Sequence, residues 1–392
     1  MKTLKRTWAD ISLDNLEYNY RSIRAHLPQG TKFLGVMKAD AYGHGAVPVS
    51  RALADLGAEY LAVSNLEEAV QIRRGEVRLP ILILGYTPAE YAANMIFLDI
   101  TQEVHSLEYA RELNEALAGT NYILNVHLKL DTGMTRIGFF AYDNERTLDE
   151  LRQVAQLPHL HIEGAFMHFC VADSRAEADV SFTKLQYKRF MDMLSAMAGV
   201  GIRPEIRHCC NSGATILYPE FALDMVRPGI ITYGNAPSDE LEGALSLRPM
   251  MSLHSMIAQV RTVPAGTDIS YGRLYRTKEE TRVAVLPIGY ADGLSRLLTG
   301  KASFYLQGHQ VPVIGRICMD MCMIDVSGVP ETKPGDVVTI FGYDDDGTLL
   351  PCERLARAQG TINYELLCQI SKRIPRICHR GAETSQILQY IV

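Results

Sequence analysis

Short apolar runs and longer amphipathic stretches alternate along the chain up to about residue 235. The runs are rich in Val, Ile, Leu and Phe, as buried parallel strands are, whereas stretches such as 106–117 and 182–198 carry Ala, Leu, Glu and Arg at helical spacing. The runs predict eight strands, at residues 32–37, 60–63, 81–84, 99–101, 122–130, 161–168, 205–208 and 223–226. Eight strand–helix units over about 230 residues predict a (β/α)8 barrel of the TIM type.

The pattern changes after Gly234, where residues 235–242 are polar and turn-like. Alternating or β-branched runs then predict strands at 256–263, 281–286, 302–306, 311–314, 321–326, 336–341 and 386–391, with two short helices near 352–358 and 362–370. We therefore predict an N-terminal α/β barrel over residues 1–240 and a mostly β domain over residues 241–392. An open doubly wound sheet is the alternative for the first domain. It usually carries a GxGxxG loop, and residues 38–45 do not fit that pattern.

Composition narrows the classes of function that fit this chain. Its 392 residues carry a formal net charge of −6 and its pI is about 6.0, so nucleic acid is not expected as the main partner. No run approaches about eighteen apolar residues, and residues 1–10 are basic without an apolar core after them. We expect no membrane-spanning helix and no secretory signal in this chain. The eight cysteines form no CxxC pairs, which indicates reduced thiols in the cytoplasm and no metal site.

Lys38 is the strongest single candidate for chemistry. It ends the apolar run 33–37, and a Gly-rich segment with Tyr42 follows it. A lysine at the end of a buried strand can be desolvated, which lowers its pKa and makes the amine a nucleophile or base. Imine chemistry with a carbonyl cofactor such as pyridoxal 5'-phosphate (PLP) requires such an amine. The alternative is a lysine whose charged end reaches out to water.

Polar residues follow the other predicted barrel strands, and in a barrel the functional groups gather at the carboxyl ends of the strands. These residues are Lys129 and Arg136 around strand five, His168 after strand six, His208, Asn211 and Ser212 after strand seven, and Arg227, Gly229 and Ile230 after strand eight. The last two loops commonly hold phosphate, through a hydroxyl and backbone amides. An ordinary helix cap and an ordinary glycine turn are the alternatives there.

Three cations at this predicted mouth carry specific expectations. Arg227 pointed at a pyridine nitrogen would donate a hydrogen bond and leave that nitrogen unprotonated, because arginine is not deprotonated in proteins. A salt-bridged surface arginine is the alternative. Lys129 and Arg136 would repel each other in one pocket, so an anion or a modification of the lysine should relieve the repulsion. A surface position for Lys129 is the alternative.

In the second domain, Tyr271 and Tyr290 lie beside glycines. They are either ordinary turn or core residues, or tyrosines that act as a general acid or base.

Seven motifs in order resemble those of the bacterial alanine racemases, which are PLP enzymes of a barrel and a C-terminal β domain. The motifs are VMKADAYGHG (36–45), DTGMTRIG (131–138), MVRPGI (225–230), SYG (270–272), PIGYADG (287–293), GRICMD (315–320) and TINYE (361–365). The similarity runs nearly from end to end, from Trp8 to Arg376.

The resemblance implies a role for each matching residue. Lys38 is the lysine that binds PLP covalently and the base on the D-alanine face, and Tyr271 is the opposite base, acting on L-alanine. The cofactor-binding residues implied are Tyr42, Ser212, Gly229, Ile230 and Tyr364 around the phosphate, Arg227 at the pyridine nitrogen, and His168 between Arg227 and Tyr271. Asn211, beside Ser212, is also expected to bind the cofactor. The residues implied near the substrate are Arg136 at its carboxylate, Met319, Asp320, and Tyr290 at the entry channel, with Lys129 as a carbamylated lysine.

The resemblance also implies the reaction and the assembly. One base removes the Cα proton of alanine and the other returns a proton from the opposite face, because a single base would tend to return the proton to the side it left. In this family the tyrosine comes from the partner subunit of a head-to-tail homodimer. The implied role is supply of D-alanine for peptidoglycan, from an amino-acid substrate in the cytoplasm.

Two departures leave the choice of substrate open. Asn235 stands where the family often has an apolar residue, and Cys210 stands where a small residue is common. A serine racemase, or a broad alanine and serine racemase of the vancomycin-resistance type, is the alternative; some of these are fused to membrane domains. PLP-dependent decarboxylases of the barrel type and non-catalytic PLP-binding proteins are further alternatives. The former should lack the motif around Tyr271, and the latter are barrels without a second domain.

Overall fold

The structure is a computed structural model that describes residues 6–391. Two compact units make up the chain. The barrel unit consists of Leu16–Ala41 and Ala46–Arg248, and the β unit consists of the remaining described residues, which include Tyr42–Gly45.

The strands are β1 (Thr7–Ser12), β2 (Lys32–Val36), β3 (Tyr60–Val63), β4 (Ile81–Ile83), β5 (Ile100–Val104), β6 (Leu124–Asp131), β7 (Phe139–Phe140), β8 (Leu160–Phe166), β9 (Ile206–His208), β10 (Met225–Val226), β11 (Met251–Met256), β12 (Gln259–Val263), β13 (Asp268–Ile269), β14 (Tyr275–Arg276), β15 (Thr281–Leu286), β16 (Ser303–Leu306), β17 (His309–Ile314), β18 (Cys322–Asp325), β19 (Val337–Tyr343), β20 (Leu349–Leu350), β21 (Arg376–Arg380) and β22 (Glu383–Leu388). The right-handed α-helices are Leu13–His26, Ala46–Leu56, Leu66–Arg74, Ala92–Phe97, Leu107–Ala116, Asn144–Ala155, Glu177–Gly199, Ser212–Leu217, Cys352–Gln359 and Asn363–Cys368.

A closed parallel sheet forms the centre of the barrel unit. Its strands follow the order β10, β2, β3, β4, β5, β6, β8 and β9, and the short β7 pairs with β6. Backbone hydrogen bonds from Asp224 N to Arg207 O (3.0 Å) and from Arg227 N to Cys210 O (2.9 Å) join β9 to β10 and close the ring. The predicted (β/α)8 barrel is confirmed, and each of the eight predicted strands has a counterpart in it.

One barrel strand differs clearly from its predicted bounds. The prediction placed the fourth strand at residues 99–101, whereas β5 continues to Val104. The added residues include Gln102 and Glu103, which are fully buried. A polar pair inside an apolar barrel breaks the hydrophobic pattern, which is why the sequence indicated an earlier end.

A second large sheet organises the β unit, so the mostly β character predicted for the second domain is confirmed. The order along it is β12, β15, β18, β17, β16, β19, β11, β1, β21 and β22, with β20 on β19. The N-terminal strand β1 is antiparallel to β11 and parallel to β21. The predicted strand 256–263 is two strands, since β11 ends at Met256 and β12 starts at Gln259.

No helix within residues 6–391 is both long enough and apolar enough to cross a membrane.

Candidate active site

Lys38 begins a strained left-handed turn directly after β2. The four residues that follow it, up to Tyr42, all have φ between +52° and +54°, and none of them is glycine. A left-handed helical conformation costs about 1–2 kcal/mol for each residue with a Cβ atom. The turn is held partly by the Asp40 carboxylate, which accepts a hydrogen bond from Ala46 N at 2.8 Å. Strain that the surroundings maintain is typical of functional segments.

Four cations from three barrel strands and the loops after them act on His168. The pKa of this partly buried imidazole lies well below its ordinary value, first because desolvation disfavours the charged form and then because Arg227, Lys129, Arg136 and Lys38 repel a proton. The predicted residues of strands one, five, six and eight therefore meet at one place. A site with this excess of positive charge is suited to an anionic ligand.

Lys129 is buried among these cations, with only 4% of its surface exposed. Burial, followed by the positive charges of Arg227 and Arg136, lowers the pKa of Lys129 to about 7. Asp131 and Glu103 oppose the shift without cancelling it. The burial excludes the surface position that the sequence left open, and the lowered pKa gives Lys129 a substantial neutral fraction near pH 7.

Arg227 is buried, and both terminal nitrogens of its guanidinium are hydrogen-bonded. Nη1 donates to His208 Nδ1 (2.9 Å) and to His208 O (3.0 Å), while Nη2 donates to Met167 O (2.7 Å), Cys209 O (3.2 Å) and His168 Nδ1 (3.4 Å). Burial lowers the pKa of Arg227 to about 10, so it stays protonated at neutral pH. Within the described part of the chain, no carboxylate contacts this guanidinium. The salt-bridged surface arginine is therefore excluded.

The two loops expected to hold phosphate contact each other. Ser212 Oγ accepts a hydrogen bond from Gly229 N at 2.9 Å, which joins the loop after β9 to the loop after β10. Asn211 caps the helix Ser212–Leu217, because its Oδ1 accepts from Ala214 N at 3.0 Å. Ile230 starts a single 3₁₀ turn, Ile230–Tyr233. Four predicted residues thus lie in two adjoining loops, joined by the hydrogen bond between Ser212 and Gly229.

Tyr42 and Tyr364 pack against each other in the β unit. Their ring centroids are 6.0 Å apart at an interplanar angle of 52°. Burial, and to a smaller degree Cys368, raises the pKa of Tyr42, so this phenol stays protonated. The short segment that carries Tyr42 is fixed in the β unit by Arg376, whose Nε donates to Gly43 O at 2.8 Å.

Four predicted residues of the β unit line a single cleft. Its volume is about 700 Å³, and its walls include Tyr271, Tyr290, Met319 and Asp320 together with Arg296, Ile317 and Cys318. Tyr271 is 69% exposed. Asp320 is held by Arg373 at 2.8 Å. The residues predicted from the sequence thus fall into two groups, one in each compact unit.

Two polar residues of the barrel interior, His127 and Glu163, were not among the predicted site residues. His127 Nδ1 lies 2.8 Å from His208 Nε2, and His127 Nε2 lies 3.0 Å from Glu163 Oε2. The alternation of strand β6 contained the signal for His127, since it stands two residues before Lys129 and so on the same face. Nothing local in the sequence indicated Glu163.

Comparisons with known proteins agree with this geometry. Residues 11–237 match the family described as "Alanine racemase, N-terminal domain", and residues 250–378 match "Alanine racemase, C-terminal domain". The alanine racemase of Desulfovibrio desulfuricans is 46% identical over 370 residues, which cover 94% of this chain and 97% of that protein. The alanine racemase of Clostridium tetani is 42% identical over the full length of both chains.

Solved structures give the same result. An alanine racemase from Clostridium difficile superposes with a TM-score of 0.93 at 40% identity and covers all of both chains. The alanine racemase from Bacillus anthracis with bound L-Ala-P has a TM-score of 0.92 at 34% identity, covering 100% of this chain and 99% of that one. On sequence and fold, this chain belongs to the alanine racemase family.

Proposed function

We propose that the chain interconverts L- and D-alanine with PLP and two bases, and so supplies D-alanine for peptidoglycan. The observation that carries the proposal is the group of positive charges at the mouth of the barrel, where Lys38, Lys129, Arg136 and Arg227 act on His168. Such a site suits an anionic cofactor and a substrate with a carboxylate. The family assignment supports alanine as that substrate.

The predicted cofactor-binding residues carry the groups that PLP needs. Lys38 provides the amine for the covalent link, Arg227 provides a buried donor for the pyridine nitrogen, and the phosphate is assigned to Tyr42, Asn211, Ser212, Gly229, Ile230 and Tyr364. When bound, PLP supplies an electron-withdrawing ring that stabilises negative charge at the Cα atom of an attached amino acid. Arg227 keeps its own protons at neutral pH, because its pKa of about 10 is still high. It therefore limits the withdrawal of electrons and favours return of the proton over side reactions.

The two bases are assigned to Lys38 and Tyr271 on opposite faces of the substrate. We propose that Tyr271 enters the barrel mouth of a second copy in a head-to-tail homodimer. The apolar surface around it supports this arrangement, since Leu274, Leu297 and Met319 are 62%, 61% and 53% exposed. Apolar side chains clustered this way on a surface typically mark an interface between proteins.

The remaining assignments concern the substrate and its surroundings. Arg136 binds the carboxylate of alanine, Met319 and Asp320 of the second copy lie near its side chain, and Tyr290 lines the entry channel. Lys129 carries a carbamate that relieves its repulsion with Arg136. We also propose a cytoplasmic location, which the eight cysteines support because none is in a disulfide and thiols stay reduced in that compartment.

A mixture of two inactive variants tests the shared site. Lys38→Ala and Tyr271→Phe should each lose most activity, because each removes one base. Co-expressed variants should recover about a quarter of wild-type activity, because random pairing makes half of the dimers mixed and each mixed dimer has one intact site. Tyr305→Phe, a tyrosine of strand β16, is the matched control and should be fully active. No recovery in the mixture would contradict a tyrosine donated by the second copy.

The substrate is tested by following the chirality of L-alanine and of L-serine with the PLP-loaded protein. We expect racemisation of alanine in clear preference to serine, and no release of carbon dioxide from either. Preferred racemisation of L-serine would contradict the assignment of alanine, and carbon dioxide release would indicate a decarboxylase.

A further inference from the structure

An unbroken line of hydrogen bonds crosses the interior of the barrel from Arg227 to Glu163. The guanidinium Nη1 of Arg227 lies 2.9 Å from His208 Nδ1, and His208 Nε2 lies 2.8 Å from His127 Nδ1. His127 Nε2 then lies 3.0 Å from Glu163 Oε2. His127 and His208 are completely buried, whereas the carboxylate of Glu163 is partly exposed.

Only one arrangement of protons satisfies this line. Arginine can only donate, so His208 Nδ1 must accept and the single proton of His208 lies on Nε2. His127 Nδ1 then accepts that proton's hydrogen bond, and His127 carries its own proton on Nε2, facing Glu163. Both imidazoles must be neutral, and burial does lower the pKa values of His127 and His208, to well below the ordinary value for His208.

Glu163 is the terminal acceptor of this line. Its carboxylate also accepts from Tyr60 OH at 3.1 Å and from Thr101 Oγ1 at 3.2 Å. Burial alone would raise the pKa of Glu163, but the hydrogen bonds from His127, Tyr60 and Thr101 outweigh it, so the net shift is downward. The group is therefore ionised at neutral pH and offers only acceptors to His127.

The backbone is shaped around these side chains. The pairing of β6 with β8 shifts register between Val126 and His127, so that Glu163 is the additional residue of a β-bulge. A bulge redirects a side chain that regular pairing would place elsewhere. Gly164 follows it, and a Cβ atom at Gly164 would lie only 2.5 Å from His127 Nδ1. The imidazole of His127 thus occupies a slot that a glycine provides.

We propose that Glu163 is a positioning residue that acts on Arg227 through His127 and His208. It accepts the proton of His127 and so completes the line of hydrogen bonds that holds Arg227 Nη1 in one orientation. A carboxylate placed directly against Arg227 would compete for the donors that serve the pyridine nitrogen. A carboxylate three hydrogen bonds away balances the charge without that competition. The inference depends on the proposed function for its effect on catalysis, but not for the position of the protons.

Nitrogen-15 NMR of histidine-labelled, PLP-free protein measures the protons directly, because the ring nitrogens with and without a proton have well-separated shifts. In the wild type we expect His127 and His208 to be neutral with the proton on Nε2. Glu163→Leu removes the acceptor of the His127 Nε2 proton. We expect the His208 Nε2 signal, two hydrogen bonds away, to shift as the hydrogen bond to His127 weakens, while the proton stays on Nε2 because Arg227 still donates to Nδ1. Glu163→Gln keeps an acceptor oxygen and should restore the wild-type signals. Tyr60→Phe removes a different donor to Glu163 and should leave His208 unchanged.

Kinetics of the PLP-loaded enzyme provide the second measurement. We expect Glu163→Leu to lower kcat by about 10- to 100-fold, the range found for outer partners that orient histidines, with little change in KM. Glu163→Gln should recover most of that loss.

Three results would overturn the inference. They are a wild-type proton on Nδ1 of His208, an unchanged His208 in Glu163→Leu, or an equal change of His208 in Tyr60→Phe. If Glu163→Leu does not fold, the wild-type protonation and the Glu163→Gln kinetics decide the case. Failure of the proposed function is distinguishable, because a wild type inactive on alanine would still show these proton positions.

Discussion

The depressed pKa of Lys129 makes a prediction that can be worked out quantitatively. An ordinary lysine with a pKa of 10.5 is neutral in about one molecule in 3,000 at pH 7, whereas Lys129, with a pKa of about 7, is neutral in about half. Only the neutral amine reacts with carbon dioxide: its nitrogen bonds to the carbon, and its proton is released to solvent. Lys129 should therefore form a carbamate about 1,000-fold more readily than a surface lysine at that pH.

The assay is carbon-13 NMR of the protein in labelled bicarbonate. We expect one carbamate signal that is absent from Lys129→Arg, whose guanidinium does not form a carbamate at neutral pH. Lys188→Arg is the matched control, since Lys188 is exposed and paired with Asp192 at 2.6 Å. It should keep the signal. A signal that survives Lys129→Arg, or none in saturating bicarbonate, would refute the reasoning.

The same shift predicts a pH-dependent stability. Lowering the pKa of the buried Lys129 from 10.5 to about 7 corresponds to a cost on the order of 5 kcal/mol for the charged form in the folded protein. The unfolded chain holds this proton up to pH 10.5 and the native chain only up to about 7, so the cost is complete below pH 7 and disappears as the pH rises towards 10.5. In buffer free of carbon dioxide, Lys129→Met should be more stable than wild type at pH 6.5, and this advantage should shrink at pH 9. An equal difference in urea midpoint at both pH values would contradict the shift.

Three other variants test neighbouring features. Glu103→Gln removes a negative charge that raises the pKa of Lys129, so the carbamate signal should persist to lower pH than in wild type; an unchanged pH midpoint would contradict the electrostatic link. Gly164→Ala should destabilise the barrel by about 1–3 kcal/mol in urea unfolding, since the new methyl group collides with His127, whereas Gly199→Ala has open space and is the control. Arg376→Met should lower the free energy of unfolding by about 3 kcal/mol or more, because four carbonyl oxygens lose a donor. PLP binding, measured by fluorescence, should also weaken, because Tyr42 is released.

The sequence predicted the barrel well because its strands are nearly continuous apolar runs. Parallel strands covered on both faces read this way, and the predicted and observed bounds of β3 are the same, residues 60–63. The N-terminal strand β1 could not be assigned in the same manner. Its partners β11 and β21 stand more than 230 residues away along the chain, so nothing local shows which sheet receives it.

The turn after Lys38 shows a different limit. Its central residues, Ala39, Asp40 and Ala41, include no glycine, and alanine is the best former of right-handed helices. Local helix propensity therefore gives no indication of the φ values near +54° at these positions. Contacts elsewhere impose the conformation, including that of Asp40 with Ala46 N. The strain is thus a property of the folded chain and not of the segment.

Some residues of the candidate site can likewise be predicted from the sequence, and others cannot. Residues that act from strand ends, such as Lys38 and Arg227, can be found from the sequence because a barrel brings all strand ends to one mouth. Glu163 differs, because it reaches the interior only through a one-residue bulge in β8, and a bulge leaves no mark in the hydrophobic pattern. Its link to Arg227 passes through His127 and His208, which lie on two other strands. Residues at strand ends, which are proposed to contact the ligand, can therefore be predicted from their position in the sequence. Residues that orient them, such as Glu163, depend on the register between strands, which only the folded barrel defines.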